Sequence, residues 1–380
     1  MIYFDNSATT RPYPEVVETF AKVSVDFFGN PSSLHPGGKQ AERLLVQTRE
    51  RAASLLNVDF KEVLFTSGGT ESNNLAIKGT AYQHRSRGRH LITSEAEHPS
   101  SYETFRQLEQ EGFNVTYLPV NNKGIVSLDD VKQAVGHETV LVSLLHVNNE
   151  LGSINPVEQI GNFLLNHPKV LFHVDHVQGV GKVPLHLKNA KVDFCSFSSH
   201  KFHGLKGTGL LYARAGTKLS PIFKGGSQEH QMRAGTENVA GATAMVKALR
   251  MTQDAAVKRT KELYRMSERL IEELKSIDGV YVNTPEERAP HIVNFSVPGL
   301  KPEVLVQSYG EKSMYVSTKS ACSSKFAEPS RVLTACGFNY ERAASGVRVS
   351  LSFENTNEEM SAFIDYTKEM IPSLLKVVNR

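Results

Sequence analysis

The segment Leu171-Phe-His-Val-Asp175-His-Val-Gln178 is an apolar, strand-like run that ends in polar residues, and a second such run ends in Phe197-Ser-Ser-His-Lys201. Similar runs recur from about residue 40 to 250, with helix-like patterns such as 128–135 and 157–165 between them. This alternation predicts an α/β fold with a mostly parallel sheet covered on both faces. The candidate strands are 63–66, 90–94, 115–118, 140–146, 171–177, 193–198 and 209–213.

The pair Asp175 and Lys201 predicts the chemistry of the site. Ligands of open α/β sheets bind beyond the carboxyl ends of the strands, where both residues are expected to lie. A lysine there can form a Schiff base with an aldehyde cofactor, and an aspartate can keep a pyridinium nitrogen protonated. These are the main protein contributions to a pyridoxal phosphate (PLP) site. Lys206, in a glycine-rich loop, is the competing lysine.

A phosphate cradle is predicted where Val63-Leu-Phe-Thr-Ser-Gly-Gly-Thr70 leads from a strand into a helix. Free N–H groups at a helix start bind anions, Gly69 lets the backbone approach closely, and Thr70 adds a hydroxyl. Ser198 and His200 are placed to bind the same phosphate. The loop has neither the P-loop lysine nor G-x-G-x-x-G, which disfavours a nucleotide. Taken alone, it would be a plain strand-to-helix turn.

Three further polar residues are candidates for contacts with the cofactor or substrate. Gln178 can reach a ring hydroxyl, and His98, after another strand, can stack on a planar cofactor and move protons. Arg348 can clamp a substrate carboxylate with its guanidinium fork. Most histidines do neither of these things, and a single arginine more often forms a surface ion pair.

A metal site is the rival interpretation of His173, Asp175 and His176. On a strand, His173 and Asp175 share one face while His176 points away. No further Cys/His pair has zinc spacing, so we expect no metal.

Cys322 lies in a small, polar segment, about 315–330, that we expect to be a mobile loop. Lys319 and Lys325 flank this thiol, and positive neighbours lower a thiol pKa and increase the reactive thiolate fraction. Cys195 and Cys336 have apolar neighbours and are expected to be buried and inert. Three cysteines are an odd number at no metal spacing, so we expect no disulfide scaffold and a reducing, cytoplasmic location.

The bulk properties indicate a soluble protein of two domains. A chain of 380 residues is too long for one compact core. We predict a large domain at 15–255 and a small α+β domain formed by 1–14 and 256–380. The net charge of +3 is spread along the chain, so no nucleic-acid arm is expected. We expect neither a signal peptide nor a membrane span.

The predicted small domain has its own pattern. A long helix at 239–276 leads into strands at 280–282, 291–296 and 346–352. Thr356-Asn-Glu-Glu359 is a capping-box sequence at the start of a last helix. That helix places apolar residues at helical spacing, and we interpret them as core: Met360, Phe363, Ile364, Met370, Ile371 and Leu374.

Together these segments resemble the fold-type I PLP enzymes, and specifically the cysteine desulfurases of the NifS/IscS type, which are related to the class V aminotransferases. The matching motifs run nearly end to end along the chain. They are Asp5-Asn-Ser-Ala-Thr-Thr10, Asn30-Pro-Ser-Ser33, Thr66-Ser-Gly-Gly-Thr-Glu-Ser-Asn-Asn74, Glu97-His98, His146-Val-Asn-Asn-Glu150, Asp175, Gln178, Ser198-Ser-His-Lys201, Arg233-Ala-Gly-Thr-Glu237 and Ser320-Ala-Cys322.

The resemblance implies a role for each matching residue. Lys201 matches the Schiff-base lysine, Asp175 the pyridinium partner, His98 the ring-stacking histidine and Cys322 the nucleophile that forms a persulfide. The phosphate ligands are matched by Thr70, Ser198 and His200, and by Thr236, which the family's other subunit donates across a homodimer. The remaining matches are Gln178 and Asn149 for the ring hydroxyl, and Arg348 and Asn30 for the substrate carboxylate.

The implied reaction removes sulfur from L-cysteine, leaving L-alanine and a persulfide on Cys322. An acceptor protein then takes the sulfur for tRNA thiolation, thiamine or iron–sulfur cluster synthesis. The chain departs from the family pattern at Thr318-Lys319, at Ser350-Leu-Ser-Phe-Glu354 and at His176, which is usually a small residue. We also expect the chain to lack the longer C-terminal tail that some members use to dock a cluster scaffold. These features favour a tRNA thiolation enzyme as acceptor over the general iron–sulfur scaffold.

The alternatives are another PLP-dependent aminotransferase or lyase, a selenocysteine lyase, and a non-catalytic sulfur carrier. An aminotransferase would not need Cys322, and a carrier would produce no alanine.

Overall fold

The computed structural model describes residues 1–318 and 328–378. The strands are β1 (Ile2–Tyr3), β2 (Val63–Thr66), β3 (His90–Ser94), β4 (Asn114–Leu118), β5 (Thr139–Leu145), β6 (Leu171–Asp175), β7 (Phe194–Ser198), β8 (Gly209–Ala213), β9 (Tyr281–Val282), β10 (Ile292–Ser296), β11 (Met314–Tyr315) and β12 (Gly346–Ser350). The helices are α1 (Pro14–Asp26), α2 (Pro36–Leu56), α3 (Gly69–His84), α4 (Pro99–Gln110), α5 (Leu128–Ala134), α6 (Val157–Leu164), α7 (Val239–Lys275), α8 (Pro302–Glu311), α9 (Arg331–Ala335), α10 (Tyr340–Ala344) and α11 (Asn357–Val378). Across the described ranges, none of these helices combines the length and apolar character that a bilayer crossing requires.

Among the described strands, seven form the main sheet in the order β2-β8-β7-β6-β5-β3-β4. Only β8 runs antiparallel to its neighbours, and the other neighbouring pairs are parallel. The predicted sheet is therefore confirmed, with strand ends within two residues of those expected. β6 ends early because Asp175 Oδ1 accepts a hydrogen bond from the Val177 N–H at 3.0 Å, which turns the chain.

Helices cover both faces of this sheet, as the apolar runs predicted. In β2, Val63 and Phe65 belong to a core shared with α1, α2, α6 and α7, whereas Leu64 belongs to a second core shared with α3 and α4. Successive strand side chains point to opposite faces, so a fully apolar strand needs cover on both sides. The two layers leave the carboxyl ends of the parallel strands as the open edge of the sheet.

A second, smaller sheet has the order β12-β10-β9 and is antiparallel throughout. It shares a core with α11 and the later part of α7, and Phe4 beside β1 joins that core. Helix α7 contributes Leu249 to the core of the large sheet and Leu263 to that of the small one. The residue boundaries of the two domains, 15–255 for the large one and 1–14 with 256–380 for the small one, stay a prediction.

The last helix begins and packs as predicted. Glu359 N–H donates to Thr356 Oγ1 at 3.2 Å, and Thr356 N–H donates to Glu359 Oε2 at 3.2 Å, which completes the capping box. The apolar stripe is core: its first five members are buried, and Leu374 packs against the same cluster.

His176, one of the departures from the pattern that the sequence resembles, is buried just beyond β6. Its Nδ1 lies 2.8 Å from His146 Nδ1, and the two rings stack with centroids 5.0 Å apart. Gly179 provides the space for this ring, because a Cβ on Gly179 would lie only 2.3 Å from His176 Cε1. The imidazole and the glycine therefore form a matched pair in this chain.

We expect Gly179→Ala to lower the free energy of unfolding by about 1–3 kcal/mol, because the added methyl overpacks a rigid, buried ring. In a His176→Ala background, the same change should cost much less. Urea unfolding of the two single variants and the double variant measures both effects. An equal cost in the two backgrounds would show that the ring does not set the requirement for glycine.

Candidate active site

A cavity of about 370 Å³ opens at the carboxyl ends of β2, β5, β6 and β7. Most of the predicted site residues line it together: Gly69, Thr70, His98, Asn149, Asp175, Gln178, Ser198, His200, Lys201 and Arg348. Lys206, the competing lysine, lines it as well, but it is exposed, whereas Lys201 is half-buried. The volume is in the range of small-molecule sites.

Lys201 follows β7 in a short helical turn and extends toward the N-terminal segment of the chain. Its Nζ donates to Ser7 O at 2.5 Å and to Ala8 O at 2.8 Å. From behind, buried Lys182 donates from Nζ to Lys201 O at 2.8 Å, and burial lowers the pKa of Lys182 to about 7. The turn and the amine of Lys201 are thus fixed from two sides.

Asp175 is the buried carboxylate at the floor of the cavity. Burial raises its pKa, while hydrogen bonds from Val177 N–H and the Asn73 amide, and the charge of Lys201, act against that rise. Asn73 Nδ2 lies 2.7 Å from Asp175 Oδ2. A cationic ring nitrogen in the cavity would be a fitting partner for such a desolvated carboxylate.

The start of α3 lines the cavity at the place where the sequence predicts an anion cradle. Gly68 caps the helix with φ 154°, a value that side chains disfavour, and a Cβ there would lie 3.8 Å from Ser198 Oγ. His200 Nδ1 pairs with Thr9 Oγ1 at 3.2 Å, and burial lowers the His200 pKa to about 4. The Thr70 and Ser198 hydroxyls line the cavity at this positive end of a helix, an arrangement that suits a phosphate.

His98 caps α4 and is held as a neutral imidazole. Its Nδ1 accepts from Ser100 N–H at 3.2 Å and lies 2.8 Å from Ser100 Oγ. Because Nδ1 accepts, the ring proton of the neutral form is on Nε2. Burial, and then the charges of Lys201, Arg331 and Arg348, lower the His98 pKa to about 3. This geometry suits stacking and hydrogen-bond donation from Nε2–H, and the proton transfer that we also expected stays a prediction.

Arg348 is a fully buried arginine in β12 that reaches the cavity from the small sheet. It donates from NH1 to Asn149 O at 2.8 Å and from NH2 to Asp5 Oδ1 at 3.0 Å. Its Nε has no partner within the described part of the chain. A buried cation with an unsatisfied donor at the cavity wall suits a small carboxylate.

Sequence reasoning assigned no role to the segment from Asp5 to Thr10, although its motif was noted. In the structure, Gln178 Nε2 donates to Ser7 O at 2.9 Å, and Thr10 N–H donates to His200 O at 2.8 Å. With the two carbonyls that accept from Lys201, these bonds make the segment one wall of the cavity. Its dense run of small polar residues without apolar periodicity was the available signal.

Two of the predicted site residues are not brought to this cavity. Thr236 and Asn30 are exposed and do not line it. Asn30 Oδ1 instead accepts from Ser32 N–H at 2.9 Å in its own loop. Cys322 lies outside the described residues.

His173 and the cysteines Cys195 and Cys336 are buried outside the cavity lining. His173 pairs through Nδ1 with Ser143 Oγ at 2.8 Å and through Nε2 with Ser196 Oγ at 2.9 Å. In the described ranges, no group of three or more His, Cys, Asp or Glu residues could hold a metal. Cys195 and Cys336 are buried, as predicted, and burial raises the pKa of both thiols, that of Cys336 to about 12.

The donor set fits a phosphorylated pyridine aldehyde. The cavity holds an amine on one strand end, a desolvated carboxylate on the next, an imidazole that caps α4, and an anion cradle at a helix start. Each group matches one part of PLP: the aldehyde, the ring nitrogen, the ring face and the phosphate.

The aminotransferase class-V family model matches residues 2–363 of the chain. With the fold and the cavity described above, this match shows that the chain belongs to the class-V aminotransferases.

Relatives within that family narrow the assignment. The chain is 43% identical to the NifS/IcsS protein homolog of Lactobacillus delbrueckii subsp. bulgaricus, over 99% of each chain. It is 40% identical to cysteine desulfurase IscS of Methanosarcina thermophila, covering 98% of this chain and 92% of the relative. The chain is thus a homologue of the NifS/IscS cysteine desulfurases, as the sequence motifs predicted.

Solved structures agree with this assignment. A NifS-like protein superimposes with a TM-score of 0.92 at 35% identity, over 98% of this chain and 99% of the other. The structure of SspA in complex with cysteine superimposes with a TM-score of 0.82 at 32% identity, over 94% and 100% of the two chains. The expected fold-type I architecture is confirmed.

Proposed function

We propose that the cavity desulfurates L-cysteine with PLP as cofactor, giving L-alanine and a persulfide on Cys322. The observation that carries the proposal is the convergence of Lys201, Asp175 and Arg348 with the α3 anion cradle on one cavity. Lys201 would hold the aldehyde carbon, and Thr70, Ser198 and His200 the phosphate. Bound there, PLP supplies an electron sink for the pair released at the substrate Cα.

The remaining groups bind and orient the substrate. Arg348 would bind the cysteine carboxylate, with Asn149 O and Asp5 fixing its guanidinium plane. Lys201 then removes the Cα proton as general base, since its amine is fixed beside the Ser7 and Ala8 carbonyls. The neutral His98 imidazole would cover the ring face. Gln178 and Asn149 are proposed to contact the ring hydroxyl.

Sulfur transfer is assigned to Cys322 on chemical grounds. Its thiolate attacks the substrate sulfur, so that an S–S bond forms and the S–C bond breaks. The electron pair of the broken bond remains on the substrate carbon, which takes protons and leaves as L-alanine. Thiolates are the nucleophilic form of cysteine, and the flanking Lys319 and Lys325 favour that form.

The described stem of this segment supports access to the cavity. Ser317 pairs with Arg348 through two backbone hydrogen bonds, of 2.7 and 3.1 Å. Five residues of chain span at most about 17 Å. Cys322, five residues beyond Ser317, can therefore reach a substrate bound at Arg348.

Product analysis tests the proposal against an ordinary aminotransferase. The PLP-loaded protein, mixed with less than one equivalent of L-cysteine and no other thiol, should form L-alanine and protein-bound persulfide in equal amounts. Transfer of the amino group to an added keto acid, with no alanine formed, would instead support an aminotransferase. Incubation with selenocysteine in place of L-cysteine tests the alternative that the protein is a selenocysteine lyase.

A homodimer is proposed because Thr236 lies outside its own cavity yet in a firmly held loop. Arg233 Nε donates to Glu71 Oε1 at 2.8 Å, which ties the loop to the start of α3. The exposed Thr236 hydroxyl is then available to the phosphate of a second subunit.

The sulfur acceptor would be a partner protein, and a tRNA thiolation enzyme is favoured over an iron–sulfur scaffold. The proposed location of the protein is cytoplasmic.

We expect Thr236→Ala to weaken PLP binding about 10–100-fold, because a hydrogen bond to a charged phosphate is lost. Fluorescence titration of the cofactor-free protein with PLP measures the dissociation constant. Ser373→Ala, which removes an exposed hydroxyl from α11, is the matched control and should leave that constant unchanged. Unaltered PLP affinity in the Thr236 variant would contradict a shared site.

A further inference from the structure

We infer that Asn73 is a positioning residue that fixes the Asp175 carboxylate and, through Ser100, the His98 imidazole relative to each other. The inference rests on the proposed function, in which both groups contact one planar cofactor. Asn73 itself is buried in α3, one helical turn after Thr70. It joins the groups assigned to the ring nitrogen and the ring face.

The two N–H bonds of the Asn73 amide have different acceptors. Nδ2 donates to Asp175 Oδ2 at 2.7 Å and to Ser100 Oγ at 2.9 Å. A side-chain amide has two donors in one plane, so both contacts together determine the orientation of the group. The carboxylate on β6 and the serine on α4 are thereby held by one rigid fork.

Ser100 passes this orientation on to His98. The Ser100 hydroxyl accepts from Asn73, so its own hydrogen is free to donate to His98 Nδ1 at 2.8 Å. The Ser100 backbone N–H donates to the same nitrogen at 3.2 Å. Two donors at Nδ1 keep this nitrogen unprotonated and place the ring proton on Nε2.

The negative charge of the Asp175 carboxylate explains why the Asn73 amide presents its NH₂ group, and not its oxygen, to Asp175. Asn73 Oδ1 is buried without a hydrogen-bond partner in the described structure. A flipped amide would turn that oxygen toward the Asp175 carboxylate and lose both donated bonds. The observed orientation therefore suits the ionised form of Asp175, whose pKa burial would otherwise raise further.

The consequence is a coupling between the ring nitrogen and the ring face of the cofactor. An ionised, oriented Asp175 keeps the ring nitrogen protonated, which the electron-sink role requires. A neutral His98 of fixed tautomer can lie against the ring without adding a positive charge. One amide thus contacts both Ser100 and Asp175, which are 75 residues apart in the sequence and are brought together by the fold.

The test uses the PLP-loaded enzyme with Asn73→Ala and, as matched control, Asn74→Ala. Asn74 carries the same amide on the same helix, but it donates to two backbone carbonyls, Thr70 O at 3.0 Å and Ser100 O at 3.4 Å, and not to the Asp175 carboxylate or the Ser100 hydroxyl. We expect Asn73→Ala to lower kcat about 10–100-fold with little change in KM, since a charge-assisted bond is lost. Asn74→Ala should stay within about twofold.

A spectroscopic measurement separates positioning from general damage to the fold. The ¹⁵N NMR shift of ring-labelled PLP should show a protonated ring nitrogen in the wild type and in Asn74→Ala. In Asn73→Ala, the signal should move toward the unprotonated value. Asn73→Ser, which removes about the same volume as the alanine change but keeps one donor, should lie between, so that an effect of lost volume is distinguished from the loss of the donor.

A double-mutant cycle with Ser100→Ala tests the connection to His98. If Asn73 acts through Ser100, the double variant should lose less activity than the product of the two single effects. Multiplicative losses of activity would show that Asn73 does not act through Ser100. An unchanged ¹⁵N NMR shift of the cofactor ring nitrogen in Asn73→Ala would overturn the inference. Failure of the wild type to form alanine would instead refute the proposed function.

Discussion

Replacement of Lys201 by alanine is expected to lower L-alanine formation from L-cysteine by at least about a thousandfold. The variant loses the general base and the amine that positions the cofactor, and a positioned base alone contributes about 10²–10⁴. Ser7 and Ala8 lose only a donor to their carbonyls. The thermal midpoint should therefore remain close to that of the wild type while activity disappears.

Lys206→Ala is the matched control, because Lys206 lines the same cavity but is exposed. It should keep the visible absorbance of the lysine-bound cofactor and most of the activity. In Lys201→Ala that absorbance should be absent. If the band persists there and vanishes in Lys206→Ala, the anchoring lysine has been misassigned.

Cys322→Ser is expected to lower persulfide formation by more than about a thousandfold while leaving PLP binding intact. The serine hydroxyl is a far weaker nucleophile toward sulfur than a thiolate, and loss of a nucleophile is among the most severe single changes in an enzyme. Lys201, Asp175 and the anion cradle are untouched. Alkylation of the protein after incubation with L-cysteine, followed by mass analysis, measures the persulfide.

Cys336→Ala serves as the control for this variant. Burial raises the pKa of the Cys336 thiol to about 12, so it should not contribute to sulfur transfer. The control should form persulfide at the wild-type rate. Persulfide formed at an undiminished rate in Cys322→Ser would refute the assignment.

The sheet and the carboxyl-end residues could be predicted because each depends on a local pattern. The largely apolar runs of β5 and β6 indicate strands buried on both faces. Asp175 ends β6, and Lys201 follows three residues after the end of β7. Parallel strands end at one edge of a sheet, so residues after different strands meet there. The topology of the sheet therefore predicts which residues lie in the cavity.

Other contacts could not be predicted because they depend on packing between distant segments. Lys201 Nζ meets the Ser7 and Ala8 carbonyls only after the N-terminal segment has crossed to the large sheet. The bond from Asn73 to Ser100 joins two helix starts and has no periodic signature. Thr236 and Asn30 were named through family resemblance alone, and their roles require a second subunit or a bound substrate.

The most direct test of the central claim is to locate the sulfur after a single turnover. PLP-loaded protein is mixed with less than one equivalent of L-cysteine, alkylated, digested and mapped by mass spectrometry. The account predicts one extra sulfur atom on the peptide that contains Cys322, with an equal amount of L-alanine. Extra sulfur on the peptides of Cys195 or Cys336, or alanine without any protein-bound sulfur, would contradict it.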